Sequence, residues 1–460
     1  MYKYDKLLKI CLLLLFVLPL TGCLYFGLAD EVSFAELAAE PGENPKPGET
    51  ENPDPKEPTE PGETENPDPK EPGDNGPVVP VDPPVYKGGN ITVFTTETPV
   101  AGNYPQGLYK FPYKPNSLLG KDNMEKFTQT LEWSPAISKT FEVNTQYTAN
   151  LTLEPINNQI SFGGITLSYI KGLPSGADVS IRVVGNNLII SIVFPKTAGE
   201  KAKAQLLFYD EFEGNSLDTT KWALVPEYNN RQERSSWRDD VVSLRDGNLS
   251  VKLVRDTVLG EKYGSNQNNK DNWIRGGGIR TLKKDERTIL YEHGFGYYEA
   301  RIKFPVIDGT WGAFWLMSPY SELILTNGGE DGTEIDIIES IGNEKGVYNS
   351  ALHWNGYDDK NHKSVSSKTS NVKVNIYDGE YHVFAVDWSP SEYVFYVDNN
   401  VLWRVDGGSD FQNSGINQNK NYIKLTTESG NSSWCAPLPA NFTEGEMLVD
   451  YVRVYNQPQK

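Results

Sequence analysis

Cysteine is scarce in this 460-residue sequence, which contains only Cys11, Cys23 and Cys435. Cys11 lies within an apolar segment near the N-terminus and Cys23 follows that segment, so Cys435 has no evident partner. A disulfide framework is therefore excluded. The stability of the folded chain must come from packing, with or without a bound ion.

Positive charge is also in short supply. Lysine and arginine number 43 against 62 aspartates and glutamates, which gives a net charge of −19. Proteins that bind nucleic acid need clustered basic residues, so a nucleic-acid partner is excluded. Residues 30–84 hold 16 acidic residues and 3 lysines, so most of the negative charge is local and reveals little about a substrate.

The N-terminus combines the features of a secretory signal. Three lysines within residues 1–9 precede an apolar run over residues 10–20, which is too short to span a bilayer as a mature helix. The sequence Leu20-Thr21-Gly22-Cys23 resembles a bacterial lipobox. We therefore predict a signal peptide at 1–22 and acylation of Cys23, which would anchor a bacterial lipoprotein at the outer membrane and cell surface. The alternative is an ordinary signal followed by an unrelated cysteine.

Residues 23–84 follow as a linker rich in proline and glutamate. The sequence PGETENPDPKEP occurs at 47–58 and again at 61–72. Proline fixes φ and removes backbone donors, and the like charges repel one another, so the linker should be extended and disordered. We interpret it as a stalk that holds the rest of the protein away from the membrane.

Residues 85–203 show the alternation of short β-strands. In residues 147–153 every second side chain is apolar, and residues 179–184 and 188–194 flank Gly185-Asn186-Asn187, which is typical of a hairpin turn. A segment of this length without helical periodicity predicts a small immunoglobulin-like β module. Because it contains no catalytic cluster, the module is either a spacer, which we favour, or a glycan-binding unit.

Residues 204–460 are rich in strands separated by glycine, asparagine, aspartate or proline. The predicted strands are residues 295–304, 313–317, 335–338, 381–388, 393–397 and 447–455. Few segments have a helical period, so the region predicts two large sheets packed face to face. Nine of the ten tryptophans lie beyond residue 220, which suits both a large β core and the stacking of sugar rings on indole.

One predicted strand contains Glu334-Ile-Asp-Ile-Ile-Glu339, with three carboxylates in six residues. Burial and like charge both oppose their ionisation, so a purely structural strand would not concentrate them. Glycoside hydrolysis does require one ionised and one protonated carboxyl group at the scissile bond. A regular strand would turn Glu339 away from Glu334 and Asp336, and we therefore predict a β-bulge near Ile337-Ile338.

This segment resembles the E-x-D-x-x-E signature of glycoside hydrolase family 16 in its bulged, laminarinase-like form. Segments similar to that family occur in the same order along the region, at 209–214, 296–303, 311–317, 351–354 and 449–455. The resemblance implies an all-β fold, a concanavalin-like β-jelly-roll sandwich with an open cleft, and retention of anomeric configuration. It also implies that Glu334 is the nucleophile and Glu339 the acid/base, while Asp336 tunes their ionisation.

The same resemblance suggests which residues line the cleft. The predicted substrate-binding residues are Arg231, Trp237, Trp311, Trp315, His353, Trp354 and Trp434. His353 is expected to hydrogen-bond the acid/base, although a lone histidine can equally be structural, and the tryptophans can equally belong to the core. No cofactor is required, but Glu213, Gly247 and Asp450 match the ligands of a structural calcium ion in some family members.

The substrate is predicted only as a class. We expect an endo-acting β-glycosidase, and we favour internal β-galactosyl bonds of poly-lactosamine O-glycans slightly over β-1,3-glucans, because of the insertion at 318–333 and the segment at 352–357. The alternative from a different class is a surface lipoprotein that binds glycan without cutting it, which would not need three crowded carboxylates. Apart from the glycan and the anchoring membrane no partner is expected, and the chain should be a monomer.

Overall fold

The structure of the protein is a computed structural model, which describes most of the chain after residue 88. The described residues are 89–92, 98–105, 127–137, 139–155, 161–286, 288–318, 332–341, 347–357, 360–367, 374–406, 416–430 and 435–459. The predicted signal peptide, the predicted acylation of Cys23, the stalk at 23–84 and Trp434 lie outside them. Among the described residues, no helix is both long and apolar enough to cross a membrane.

The N-terminal part of the described chain is a small β structure. Its elements are β1 Ile91–Thr92, β2 Phe127–Ser134, β3 Thr148–Pro155, a 3-10 helix Leu167–Tyr169, β4 Ile170–Lys171, β5 Asp178–Val184 and β6 Asn187–Val193. Strands β2-β3-β6-β5 form an antiparallel sheet in that order, while β1 pairs with β4. The predicted hairpin is confirmed, because Val184 pairs with Asn187 across Gly185-Asn186. The immunoglobulin-like module stays a prediction.

Residues 206–455 form the larger β structure. Its strands are β7 Leu206–Asp210, β8 Ala223–Leu224, β9 Tyr228–Arg231, β10 Ser235–Trp237, β11 Val242–Arg245, β12 Asn248–Arg255, β13 Ile274–Arg280, β14 Gly296–Lys303, β15 Trp311–Met317, β16 Thr333–Ser340, β17 Tyr348–Trp354, β18 Lys363–Ser366, β19 His382–Trp388, β20 Glu392–Val397, β21 Asn400–Asp406, β22 Tyr422–Glu428 and β23 Glu444–Tyr455. Its helices are a 3-10 helix Asp239–Val241, α1 Thr257–Tyr263 and α2 Gln267–Asp271. The strands curl into a closed, mostly antiparallel arrangement, so the predicted β-jelly-roll and its six predicted strands are confirmed.

The sheet that carries the three acids runs in the order β18-β17-β16-β15-β22-β13-β8. Side chains alternate between its two faces, as they must in a strand. One face contributes Phe314, Ile335, Leu352 and Leu425 to the main hydrophobic core, where each is at most 2% exposed. The opposite face, called the acid face here, therefore receives the polar residues of the same strands.

Two segments of the N-terminal part pack against the jelly-roll. Tyr104 is buried in the main core, and its hydroxyl donates a hydrogen bond to Asp387 of β19. The Lys139 ammonium lies 3.3 Å from the Asp387 carboxylate and 2.9 Å from that of Glu392 in β20. Near the C-terminus, the Asn456 amide donates to the Asn103 side chain over 2.9 Å. Polar contacts, one of them buried, thus bridge the two predicted modules.

We expect the Tyr104→Phe variant to lower the free energy of unfolding by about 1–2 kcal/mol, because it removes the buried donor to Asp387 and leaves that carboxylate with the Lys139 ammonium alone. The measurement is chemical denaturation of residues 85–460. The Tyr228→Phe variant is the matched control, since Tyr228 is 44% exposed. Equal stability of the two variants would show that this contact does not hold the N-terminal part in place.

Candidate active site

A bulge in β16 brings the three acids to one face. Asp336 pairs with Ala351 of β17, yet Glu339 pairs with Asn349, so three steps along β16 match two steps along β17. The same irregularity appears against β15, where Ile338 and Asp336 pair with adjacent residues. The predicted β-bulge at Ile337-Ile338 is confirmed.

The three carboxyl groups lie in a mostly desolvated environment. Asp336 and Glu339 are buried, while Glu334 at the start of the strand is partly exposed. Burial raises the pKa of Glu339 to about 8, assisted by the negative charges of Glu334 and Glu428. The pKa of Asp336 is raised well above its usual value, mainly by burial and further by the negative charges of Glu334 and Glu339. Glu339 is therefore mostly protonated near neutral pH, and the pKa of Asp336 is shifted in the same direction.

Glu334 is the acid best equipped to be ionised. Burial raises its pKa, but the Tyr357 hydroxyl donates a hydrogen bond to Oε2, and the charges of Lys424, Arg231 and His362 also favour the carboxylate. Asp336 has only Lys424 to oppose its protonation. On the acid face, Glu334 is thus stabilised as an anion, whereas Asp336 and Glu339 are not. Catalysis by paired carboxyl groups needs such a difference in ionisation.

One residue that contacts Glu339, the predicted acid/base, was missed by sequence reasoning. The Asn349 amide donates to Glu339 Oε2 over 2.8 Å, and the Trp311 indole also interacts with the Glu339 carboxyl group. The prediction that His353 contacts Glu339 is wrong, because the β16–β17 register places His353 opposite Glu334 and its Nε2 lies 3.5 Å from Asp336 Oδ2.

A cationic side chain lies on β22, which is separated from the acid-bearing strand β16 by β15. The Lys424 ammonium lies 3.5 Å from the centroid of the Trp315 ring and 5.3 Å from that of Trp237. Burial lowers the pKa of Lys424 to about 7, and the charge of Arg231 contributes in the same direction. Among the described residues Lys424 makes no hydrogen bond or ion pair. Glu428, on the same strand, accepts from Arg231 Nε over 3.1 Å.

The structure brings several predicted substrate-binding residues together. Trp237 and Trp315 belong to one small cluster, and the Arg231 guanidinium stacks on Trp237 at 4.2 Å. The Lys424 ammonium covers one face of Trp315, whose Nε1 donates to Thr426 over 3.0 Å. Trp315 therefore supports the floor of the site, rather than offering that face to a sugar.

One predicted substrate-binding residue lies on the wrong face. Trp354 is 5% exposed and belongs to the main hydrophobic core, because it follows His353 on β17 and side chains alternate along a strand. Trp434 lies outside the described residues, so its role stays a prediction.

The proposed calcium ligands lie on neighbouring segments, because Leu249 pairs with Val449 and this register brings Asp450 close to Gly247. The Glu213 carboxylate lies against Gly247, since its Oε1 would be 3.5 Å from a β-carbon placed on that glycine. Asp450 instead pairs with Arg301 over 2.7 Å. A guanidinium beside a carboxylate opposes a divalent cation at the same oxygen, so Arg301 competes for Asp450 Oδ2, and the calcium site stays a prediction.

The acid face also contains a group of potential ligand atoms. Glu334, Asp336 and His353 each offer one such atom, and these atoms lie within 4.8 Å of one another. Glu334 already accepts from Tyr357 and has the Lys424 ammonium nearby. Since cationic and hydrogen-bonding groups serve this carboxylate, we assign no metal to the acid face.

Several functional residues escaped sequence reasoning. Asn349, Tyr357, His362, Lys424 and Glu428 all contact or electrostatically influence the acids. Lys424 and Glu428 could have been found, because they are charged residues within an otherwise apolar and threonine-rich strand, Tyr422–Glu428. Asn349 depends on the register across the bulge, and Tyr357 and His362 depend on the path of the chain after β17.

An all-β jelly-roll with crowded carboxyl groups on one sheet is the architecture of a glycoside hydrolase domain. Residues 206–457 match the family model described as Beta-porphyranase A-D, GH16 domain. This match covers more than half of the chain. The chain therefore belongs to glycoside hydrolase family 16.

Relatives of known activity differ in substrate. This chain is 26% identical to glucan endo-1,3-beta-glucosidase A1 of Niallia circulans over 370 residues, which cover 76% of this chain and 51% of the relative. It is also 27% identical to keratan-sulfate endo-1,4-beta-galactosidase of Sphingobacterium multivorum over 268 residues, which cover 55% of this chain and 56% of that relative. The chain thus spans about half the length of these curated relatives. The X-ray structure of an endo-beta-1,3-glucanase from Pyrococcus furiosus aligns with 56% of this chain and 96% of its own, at 23% identity and a TM-score of 0.43.

Proposed function

We propose that this protein is a retaining endo-β-glycosidase that cleaves internal β-linkages of a polysaccharide or glycan. Glu334 attacks the anomeric carbon and forms a glycosyl ester, while Glu339 protonates the departing oxygen. Glu339 then takes a proton from the water that hydrolyses the ester. The observation that carries this proposal is the unequal environment of the two glutamates, with donors and cations around Glu334 and burial around Glu339.

The neighbouring groups suit these roles. The Tyr357 hydroxyl stabilises Glu334 as an anion before attack. The Asn349 amide fixes the orientation of Glu339 through Oε2, which leaves Oε1 to carry the transferable proton. Asp336 lies between them on the same strand, where a protonated carboxyl group adds no further negative charge beside the nucleophile.

A galactose-containing polymer is the substrate that we favour, with β-1,3-glucan as the second candidate. The matching family model is described by porphyranases, and one relative acts on keratan sulfate. Another relative is a glucan endo-1,3-beta-glucosidase, which supports the second candidate. A glycan-binding lipoprotein without catalysis is the alternative function, and it is disfavoured by the three acids.

Product analysis by mass spectrometry tests both activity and substrate. Residues 85–460 are incubated with keratan, mucin O-glycans, agarose, porphyran, laminarin and mixed-linkage glucan. We expect short oligosaccharides from one class of polymer and a loss of at least about a thousandfold in rate for Glu334→Gln, which removes the nucleophile. Binding of one polymer without any product from the unaltered protein would instead support the glycan-binding alternative.

The pH dependence of kcat/KM should be bell-shaped, and its two limbs should respond to different variants. Lys424→Met removes a positive charge that lowers the pKa of Glu334, so the acidic limb should move to higher pH. Glu428→Gln removes a negative charge that raises the pKa of Glu339, so the alkaline limb, near pH 8, should move to lower pH. Lys424→Arg is the control that keeps the acidic limb in place. An unmoved acidic limb in Lys424→Met would contradict the assignment of Glu334.

We also propose that the protein is a lipoprotein displayed at the cell surface, which places the enzyme next to polymers too large to enter the cell. The support is the sequence from Leu20 to Cys23 and the acidic stalk that follows it. Expressed in a Gram-negative host, the full chain should incorporate radioactive palmitate and partition into detergent. The Cys23→Ala variant should do neither, and labelling that survives this substitution would disprove the anchor.

A further inference from the structure

A chain of three polar contacts leads away from Asp336. His353 Nε2 lies 3.5 Å from Asp336 Oδ2. On the other side of the same ring, His353 Nδ1 lies 3.1 Å from His362 Nε2. The chain ends where His362 Nδ1 meets the Gly356 carbonyl oxygen over 2.6 Å. His362 is thus hydrogen-bonded at both ring nitrogens, and the His353 ring lies between His362 and the central acid, whose Oδ2 makes no hydrogen bond among the described residues.

The carbonyl at the end of this chain determines the proton positions. The Gly356 oxygen can only accept, so His362 Nδ1 must carry a proton. When His362 is neutral, its Nε2 is therefore an acceptor, and His353 must donate from Nδ1. The lone pair of His353 Nε2 then faces Asp336 Oδ2, which favours a protonated Asp336. Buried and neutral, His353 has its pKa lowered to about 3.

Resting on the proposed function, we infer that His353 and His362 form a proton relay that lets Asp336 change its charge during the reaction. In one state Asp336 is protonated and His362 is neutral. In the other, the Asp336 proton has moved to His353 Nε2, while the proton on His353 Nδ1 has moved to His362 Nε2. In the second state Asp336 is a carboxylate and His362 is an imidazolium. The total number of protons is unchanged, and His353 keeps its charge while its proton moves from Nδ1 to Nε2.

The reaction supplies the reason for such a change. Asp336 faces Glu334 and Glu339 of its own strand, His353 of β17 and Lys424 of β22. While Glu334 is an anion, its charge favours the protonated form of Asp336. Once Glu334 becomes a glycosyl ester, that repulsion disappears and the nearby Lys424 favours the Asp336 carboxylate. A relay permits this adjustment without the entry of water to a side chain that is 3% exposed.

His362 is placed to receive the proton. It lies on the segment after β17, is only partly buried, and packs beside Tyr357, whose ring centroid is 5.4 Å away. Tyr357 also donates to Glu334, so one segment contacts both the nucleophile and the relay. Since the Glu334 charge opposes ionisation of Asp336 on the same strand, loss of that charge favours the state with an Asp336 carboxylate and a charged His362. The long Asp336–His353 contact should shorten when the site is occupied.

Nitrogen-15 NMR of the histidine side chains tests the relay without any substrate. The sequence contains four histidines, so each signal can be assigned by single substitution. In the unaltered residues 85–460, both His353 and His362 should carry a proton on Nδ1. Glu334→Gln mimics the uncharged ester, and in this variant His362 Nε2 should be protonated to a greater extent than in the parent protein at the same pH.

The double variant Glu334→Gln/Asp336→Asn is the matched control, because an amide at 336 can donate to His353 but cannot release its proton. His362 should return to the neutral form there. An identical His362 state in all three proteins, or a His353 that carries its proton on Nε2 at rest, would overturn the relay. These readings do not depend on catalysis, so they remain decisive even if no polymer is cleaved.

Kinetics give the second readout. His362→Gln should lower kcat by about ten- to a hundredfold with KM within about twofold, since it interrupts proton movement but no contact with a substrate. His382→Gln is the control, because His382 pairs with Asp378 and Asp398 rather than with the acids. An unchanged kcat in His362→Gln would contradict a role for the relay in turnover.

Discussion

The constraint on which the site depends is electrostatic crowding on one strand. Three carboxyl groups within six residues cannot all be ionised in a buried environment, because desolvation and mutual repulsion both penalise the second and third charges. The protein resolves this conflict by giving donors and cations to Glu334 and leaving Asp336 and Glu339 with few of either. The bulge at Ile337-Ile338 is what forces the conflict, since it turns all three groups to the same side.

The rest of the sheet makes this arrangement tolerable. Behind the acids, the other face of the same strands is a continuous apolar layer, so the backbone around the bulge is fixed by packing. Beside them, the side chain of Lys424 lies over Trp315 and is held between two indoles rather than by a carboxylate. Since Lys424 forms no ion pair within the described residues, its charge can lower the pKa of Glu334 and of Asp336 from a distance.

The sequence predicted the fold and the acids well because both depend on local patterns. Strand alternation, the hairpin at Gly185 and the bulge follow from neighbours along the chain. What could not be predicted depends on register between strands that are distant in sequence. Asn349 replaced His353 as the partner of Glu339 through a shift in pairing. Trp354 is an exception, because its place on the core side follows from simple alternation with His353 along β17. Lys424 reaches the acids only because β22 lies next to β15.

The last strand of the chain has a consequence for how the protein is made. Strand β23 pairs with β7, β12 and β14, and Asn456 just beyond it bonds to Gln205 and to Asn103. The first and last parts of the domain therefore complete each other, across some of the longest sequence separations in the molecule. Contacts of this kind form late and slowly. A chain threaded across a membrane from its N-terminus, as the predicted signal peptide implies, would have to stay open until β23 emerged, and its folding would then be coupled to the end of translocation.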